Sequence, residues 1–336
     1  MGIQVKEQVL LAPFTTMRVG GNARFFARVG TVDELSEAVF FARSKNLPIF
    51  ILGGGSNTLV SGAGFFGLVI KIEFKGITYK NNHITAGAGV VWDEVVSDVV
   101  AHNLCGIENL SLIPGTVGGA AVQNIGAYGV EACDTIFSVE AFDMKTTQTK
   151  IFLRAECEFG YRESIFKKNK NLVVTRVTFE LAQNGTPRAD YEDVKNYFAE
   201  RGIKSPALGE IREAIVAIRT WKMPAPGIGT AGSFFKNPVV SVPEYEALKN
   251  ELPEIKGYLQ ADNSVKLSAG WLLDHAGKWR GVRRQGAGVH EKNALILVNY
   301  GTATAEEILS LTDEMKSDIK EKTGVLLEEE VILVKS

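Results

Sequence analysis

Two stretches of this chain hold residues whose types and spacing suit a large, flat, phosphorylated ligand. The first is the loop Gly53-Gly54-Gly55-Ser56-Asn57. The second spans residues 109–130, 22 positions without a charged side chain, and includes Pro114, Gly115, Thr116, Gly118 and Gly119 followed by Gln123, Asn124, Gly126, Ala127 and Tyr128. Glycine and alanine let the backbone approach a ligand closely and leave its N–H groups available to phosphate oxygens. Gln123, Asn124 and Tyr128 are hydrogen-bonding groups set among small residues, and buried groups of that kind need partners. The ordinary structural reading is a tight turn and a short helix packed through small residues. A membrane span is excluded by Pro114, Gln123, Asn124 and the run's five glycines, because hydrocarbon would leave their polar groups unpaired.

The glycine loop fits neither standard nucleotide pattern: Thr58 stands where G-x-G-x-x-G needs its last glycine, and no lysine follows for a P-loop. Ser56 and Asn57 nevertheless add side-chain donors beside bare amides, which suits pyrophosphate.

These stretches must be positioned by a chain of 336 residues, 45% hydrophobic, enough for about two domains with a real core. With 37 basic and 39 acidic residues no global field favours nucleic acid or an anionic membrane. Three cysteines, Cys105, Cys133 and Cys157, lack C-x-x-C spacing, and four scattered histidines lack helical pairing. No disulfide framework or metal site is expected. The N-terminal residues carry no positively charged lead into an apolar run, so a reducing, cytoplasmic setting is expected. No hydrophobic heptad seam is evident, and a monomer is expected.

Residues 25–30 read as a strand, Thr31 with Glu34 as a capping box, and Leu35, Ala38, Val39 and Ala42 as one helical face. Residues 48–52 form a short apolar strand that runs into the glycine loop. Strand alternation returns over 68–89, and 92–101 reads as an amphipathic helix with Val95, Val96, Val99 and Val100 inward. Strands are expected at 136–144, 148–153 and 172–181, and helices at 192–201 and 208–221. The segment 222–229, with two prolines and two glycines, is the plainest linker. Beyond it the pattern predicts helices near 244–250 and 269–275, a strand at 294–299, a long helix opened by Thr304 and Glu307, and a final strand at 325–334 interrupted by Glu328-Glu329-Glu330.

With Gly232-Ser-Phe-Phe-Lys-Asn-Pro238 added to both glycine clusters, the chain resembles the UDP-N-acetylenolpyruvoylglucosamine reductase family over nearly its whole length. Tyr161-Arg-Glu-Ser164 and Leu327-x-x-Glu-Val331 are further marks, in the family's order. The resemblance implies an α+β fold: a two-subdomain FAD-binding module of the vanillyl-alcohol-oxidase (PCMH) type over 1–222, with subdomains 1–71 and 72–222. A substrate-binding domain over 223–324 follows, and 325–336 would return to the first subdomain as a strand. It implies FAD on the two glycine stretches, NADPH as reductant, and reduction of a UDP-linked enolpyruvyl sugar to UDP-N-acetylmuramate for peptidoglycan. The segment Arg188-Ala-Asp-Tyr191 is similar to the family's extra loop, whose tyrosine contacts substrate, so Tyr191 is assigned to substrate. Lys222, Asn237 and Asn293 match family positions near substrate or nucleotide. From Asp274 to Gly281 the spacing departs from the family's pattern, and Arg280 receives no role.

The implied chemistry assigns three residues. Arg162 would stabilise the enolate that forms beside the substrate carboxylate, since a guanidinium fork meets two oxygens and keeps its charge; locally it reads as a partner of Glu163 in an ion pair or of a helix end. Ser233 would be the proton donor, an oriented hydroxyl meeting a strongly basic carbanion, with Lys236 or a backbone amide assisting; locally it reads as a helix cap. Glu330 is the matching acidic position, and strand alternation sets it with Ile332 and Val334, although the residues alone do not choose among Glu328, Glu329 and Glu330. Alternatives are an oxidase of a small alcohol on the same flavin module, separable by oxygen uptake, or a non-catalytic nucleotide-binding protein, which would be colourless.

Overall fold

A computed structural model of the chain describes residues 2–335. The chain forms two compact units. The first joins the N-terminal residues to Val9 with Ala23–Gly54 and Phe66–Trp221; the second joins Leu10–Asn22 and Gly55–Phe65 with everything from Lys222 onward. The second unit thus begins at the expected linker but also takes in two short N-terminal segments.

In the first unit the strands Val5–Leu10, Asn22–Val29, Phe65–Ile72 and Ile49–Leu52 lie in that order in one sheet, the last two parallel. The helix Val32–Ser44 covers it with Leu35, Ala38, Val39 and Ala42. Thr31 caps that helix by accepting the Glu34 N–H at 3.2 Å, while the Glu34 carboxylate reaches past Thr31 to the Gly30 N–H at 2.7 Å. A second, antiparallel sheet orders Gln148–Leu153, Ile136–Asp143, Leu172–Glu180, His83–Gly87 and Ile77–Lys80. The helix Trp92–Ala101 lies where the valine spacing predicts it, with Val95, Val96 and Val99 buried and Val100, at the margin of that face, only half-buried, and one hydrophobic core runs beneath both sheets. Trp92 is fully buried, donates from Nε1 to the Leu110 carbonyl at 2.9 Å, and meets Phe179 edge-on at 5.7 Å. Truncating it to alanine would cost about 3–5 kcal/mol. The helices Glu192–Ala199 and Leu208–Lys222 pack through Val194, Phe198, Ile211, Ala214 and Ile215. Arg212 forks onto Asp93 at 2.8 Å through both nitrogens, tying the second of these helices to Trp92–Ala101.

In the second unit Gly229–Ser233, Ile296–Asn299, Ala287–Val289 and Arg283–Arg284 form a four-stranded sheet. The helix Ala305–Thr323 opens with a reciprocal Thr304/Glu307 capping box and ends at Gly324, whose φ of 69° glycine adopts without penalty. Its Ile308, Leu311, Met315 and Ile319 share a core with Phe234, Phe235 and Leu273.

Two expected elements differ. The strand expected over 325–334 is reduced to a bridge between Glu329 and Phe235 and the strand Ile332–Val334. The cause is a change of partner: the Glu330 N–H donates to the Phe234 carbonyl at 2.8 Å, whereas the Ile332 N–H donates to Asn57 at 3.0 Å, beginning a parallel pairing with Thr58–Val60. The helix expected over 269–275 is an α-turn, Ala269–Trp271, running into a π-turn, Leu272–Ala276. A π-turn accommodates extra residues in a helix, and it coincides with the stretch of departing spacing. There Arg280 Nε donates to Asp274 at 2.7 Å.

Among the described residues no helix is long and apolar enough to cross a membrane, and no group of three His, Cys, Asp or Glu side chains is arranged to hold a metal ion.

Candidate cofactor and active site

In the first unit the two glycine stretches, some 60 residues apart in sequence, touch. A Cβ on Gly54 would stand 2.6 Å from Gly115 Cα, and one on Gly53 would stand 3.1 Å from Thr116 Oγ1. At Gly54 only bare backbone fits, whereas at Gly53 the Thr116 hydroxyl would have to give by a few tenths of an ångström. Thr116 is the N-cap of the helix Val117–Gln123, yet its hydroxyl makes no capping bond and is buried without a partner among the described residues. Threonine at this position ordinarily accepts an amide of the first turn, so the unmade bond leaves a donor and acceptor facing the glycine contact. The Gln123 carbonyl oxygen is likewise buried and unpartnered. Gly115 has φ 127°, a conformation that a side chain resists. Gly118 is required by packing, since its Cβ would stand 2.8 Å from Ala88 Cβ, whereas a Cβ on Gly119 meets nothing closer than 3.7 Å. Pro114 is exposed at the lip of this stretch.

Lys71 is the charged group that motif reading passes over. It donates to the Gly53 carbonyl, and burial pulls its pKa down while Glu73 opposes that shift. The available signal was a lone charge in the apolar strand Phe65–Ile72.

Further along, Asn124 is buried with φ 42°, and its side chain serves the protein: Nδ2 donates to Glu131 at 3.0 Å and to the Gly160 carbonyl at 2.9 Å, and Oδ1 accepts the Cys133 N–H at 3.0 Å. Arg162 projects from a tight turn in which Gly160 and Glu163 exchange both backbone hydrogen bonds. Its guanidinium donates to the Gly126 carbonyl at 2.7 Å and the Asn124 carbonyl at 3.2 Å, with Glu131, not Glu163, facing it at 3.7 Å. The structure thereby places Arg162 against Asn124 and Gly126. Ala127 pairs with Val130, and the turn between them carries positive φ at Tyr128 and Gly129. Tyr191 meets Tyr128 edge-on at 5.4 Å. Arg219, also missed from sequence, lies against Tyr128 and Asp93; burial lowers its pKa, and burial raises that of Tyr128 against the pull of Arg219. Its seven-residue spacing from Arg212 on one helix was the signal.

In the second unit Gly55 has φ 66°, and a Cβ there would stand 2.0 Å from the Phe14 carbonyl oxygen. Ser56 follows it, and Asn57 Nδ2 donates to the Glu330 carbonyl at 3.1 Å. Ser233 caps no helix. It ends a strand at a β-bulge, where Thr230↔Val298 and Ser233↔Ile296 put three steps against two, with Gly232 at φ 76°. Such a bulge re-aims one side chain, and Ser233 is exposed there. The three glutamates separate: Glu328 is exposed and faces Lys236 at 3.5 Å, Glu329 pairs with Lys316 at 2.7 Å, and Glu330 joins both Phe234 and Asn57 through its backbone. Asn237 accepts the Ala269 N–H and Asn293 the Leu295 N–H, each at 3.0 Å. Lys222 stands beside His290, whose pKa is lowered by burial and raised in part by the Lys222 backbone.

The mixed two-sheet module and its glycine-lined contact define an FAD-binding flavoprotein: residues 23–151 match the family described as FAD binding domain. A VAO-type flavoprotein from Myceliophthora thermophila (TM-score 0.51, 14% identity, 90% of this chain and 70% of that one) and 6-hydroxy-D-nicotine oxidase from Arthrobacter nicotinovorans (0.50, 15%, 90% and 81%) share the fold. Residues 224–334 match the UDP-N-acetylenolpyruvoylglucosamine reductase, C-terminal domain. The chain is 41% identical over 337 residues to the reductase of Pseudomonas syringae pv. syringae strain B728a, covering 98% of this chain and 99% of that one. It is 42% identical over 322 residues to that of Paraburkholderia xenovorans strain LB400, covering 93% and 92%. The crystal structure of the enzyme from Thermus caldophilus aligns with TM-score 0.72 at 26% identity over 99% and 100%. The chain belongs to the UDP-N-acetylenolpyruvoylglucosamine reductase family.

Proposed function

We propose that this member of the family reduces the double bond of a UDP-linked enolpyruvyl sugar to UDP-N-acetylmuramate, with NADPH as reductant, through Ser233, Glu330 and Arg162. Gly53, Gly54, Gly115 and Thr116 would hold FAD, because the approach of Gly54 to Gly115 admits no side chain and the Thr116 hydroxyl beside Gly53 is unpaired among the described residues. Bound FAD supplies the hydride, which it takes from NADPH.

Hydride at the methylene carbon leaves an electron pair on the carbon beside the carboxylate. The Ser233 hydroxyl delivers a proton to that carbon, forming the C–H bond and leaving an alkoxide that water reprotonates. Lys236 is turned to Glu328, so support for the alkoxide falls to backbone donors, and Glu330 polarises or positions the intermediate. Arg162 meets the developing enolate; a preorganised cation there contributes about 3–4 kcal/mol. Tyr191, Lys222, Asn237 and Asn293 bind substrate. The protein acts as a cytoplasmic monomer.

The observation that carries this reading is that the Ser233 bulge and Glu330 lie on directly bonded segments, one residue apart through the Phe234 carbonyl. Ser233→Ala should keep flavin reduction by NADPH and slow the oxidation by enolpyruvyl substrate by about 100- to 10,000-fold. Stopped-flow absorbance resolves the two half-reactions, and an unchanged second one would remove Ser233 from the chemistry.

A further inference from the structure

The segment that leads to Tyr191 has little structure of its own. It leaves the two-residue strand Ala182–Gln183, paired with Leu104–Cys105, and reaches the helix Glu192–Ala199, for which Tyr191 is the N-cap. Between them residues 185–190 have no regular hydrogen bonding. One buried side chain bonds to its backbone. Asn109 is 1% exposed and donates from Nδ2 to the Arg188 carbonyl at 3.1 Å and to the Tyr128 carbonyl at 2.9 Å. A primary amide has two hydrogens, one for each acceptor.

The platform beneath Asn109 is rigid. It sits in the 3-10 turn Glu108–Leu110, where the buried Glu108 carboxylate takes the Gly106 N–H at 2.6 Å, Ser111 donates to the Glu108 carbonyl at 2.5 Å, and Trp92 donates to the Leu110 carbonyl at 2.9 Å. The Tyr128 acceptor is placed by a two-residue turn with φ 49° at Tyr128 and 78° at Gly129. A tyrosine adopts that conformation at a cost, and a bonded carbonyl helps hold it. The other ties of Arg188 are longer and exposed: 3.5 Å to the Gly129 carbonyl and 3.4 Å to Asp134.

We propose that Asn109 is a positioning residue for substrate binding: its amide sets the loop backbone at Arg188 against the Tyr128 turn and so fixes where Tyr191 stands. This rests on the assignment of Tyr191 to the UDP-linked substrate. Without the tie, binding of the enolpyruvyl substrate must order the loop.

Asn109→Asp keeps the shape and removes at least one of the two donors. Its KM for the enolpyruvyl substrate should rise about 10-fold, the equivalent of one good hydrogen bond, with flavin reduction by NADPH within twofold of the parent. Tryptic cleavage after Arg188 should quicken by a similar factor, a readout of loop opening independent of turnover. Asn109→Gln, which keeps the donors but displaces them by one methylene, should fall between the two and serves if the aspartate variant does not fold. In a Tyr191→Ala background the Asn109 substitution should change KM no further. Independent, additive effects in the double variant, or unchanged tryptic cleavage, would overturn the proposal. An unchanged KM in Tyr191→Ala alone would instead overturn the assignment of Tyr191.

Discussion

Gly54 and Gly119 are both glycines of the predicted cofactor stretches, but the structure makes opposite demands on them. At Gly54 an added Cβ stands 2.6 Å from Gly115 Cα, 3.1 Å from Gly115 C and 3.4 Å from Thr116 N, all backbone. Carbon atoms pack at about 3.5–4.0 Å, so the two loops must part by about 1 Å with no side chain able to rotate away. Overpacking of that kind costs about 1–3 kcal/mol. At Gly119 the nearest atom is Thr116 Oγ1 at 3.7 Å, an ordinary contact, and the residue lies inside the helix Val117–Gln123. Alanine there should gain about 0.5–1 kcal/mol. Urea denaturation of the flavin-free protein should therefore show Gly54→Ala weakened and Gly119→Ala equal to or firmer than the parent. Titration with FAD then reverses the second result. If Gly119 is bare because the cofactor lies against it, Gly119→Ala loses affinity, and each tenfold rise in Kd removes about 1.4 kcal/mol of the stabilisation that saturating FAD confers. Gly54→Ala with parental flavin-free stability would refute the contact argument, and Gly119→Ala with parental FAD affinity would take that helix face out of the cradle.

Arg162→Lys should fold, as judged by circular dichroism, and lose about 100- to 1,000-fold in kcat, because a single ammonium cannot replace a fork that holds Asn124 and Gly126; a variant as fast as the parent contradicts the role. Asp93 is driven upward by its burial, but hydrogen bonds from Arg212 and the Leu112 N–H and the charge of Arg219 leave its carboxyl below the ordinary value. Its contribution to stability is therefore complete above the unfolded pKa of about 3.9 and disappears as pH falls through the lower folded value. Asp93→Asn should flatten the acid limb of a stability profile below about pH 4, and an unchanged limb argues against the fork. Burial, aided by Glu108, pushes the Cys105 thiol up to about 12, and burial with Glu156 does the same for Cys157. Both stay protonated at pH 8.5, where a free thiol is half ionised, so iodoacetamide should label them about 1,000-fold more slowly in native than in denatured protein. Rapid native labelling, read by peptide mass spectrometry, contradicts that burial.

The elements that sequence periodicity located are those in which one face alone decides the structure. Val95, Val96 and Val99 face one way along a helix and bury as their spacing demands; so do Leu35, Val39, Ile308 and Met315. What periodicity cannot see is a change of neighbour partway along an extended segment. Alternation would set Glu330 with Ile332 and Val334, yet Val331 and Val334 are the buried residues, because the segment pairs with Phe234 at one end and with Asn57 at the other, and regular strand survives only after the exchange. The same exchange separates the run of three glutamates: Lys236 and Lys316 engage the first two, and Asn57 with Phe234 hold the backbone of the third. Ser233 makes the converse point. A serine after a glycine reads locally as a cap, and only the register against Ile296 reveals a bulge, since a bulge is a mismatch between two strands and cannot be written in either one. The partners of Arg162 were equally hidden: Glu163 is adjacent in sequence, but the tight turn at residues 160–163 with φ 56° at Arg162 aims the guanidinium at the Gly126 carbonyl, 36 positions away. A hydroxyl on a bulge, the proposed proton donor, and a cation on a left-handed turn are both held by backbone geometry that side-chain types do not encode, and the residue types said only what such groups could do once aimed.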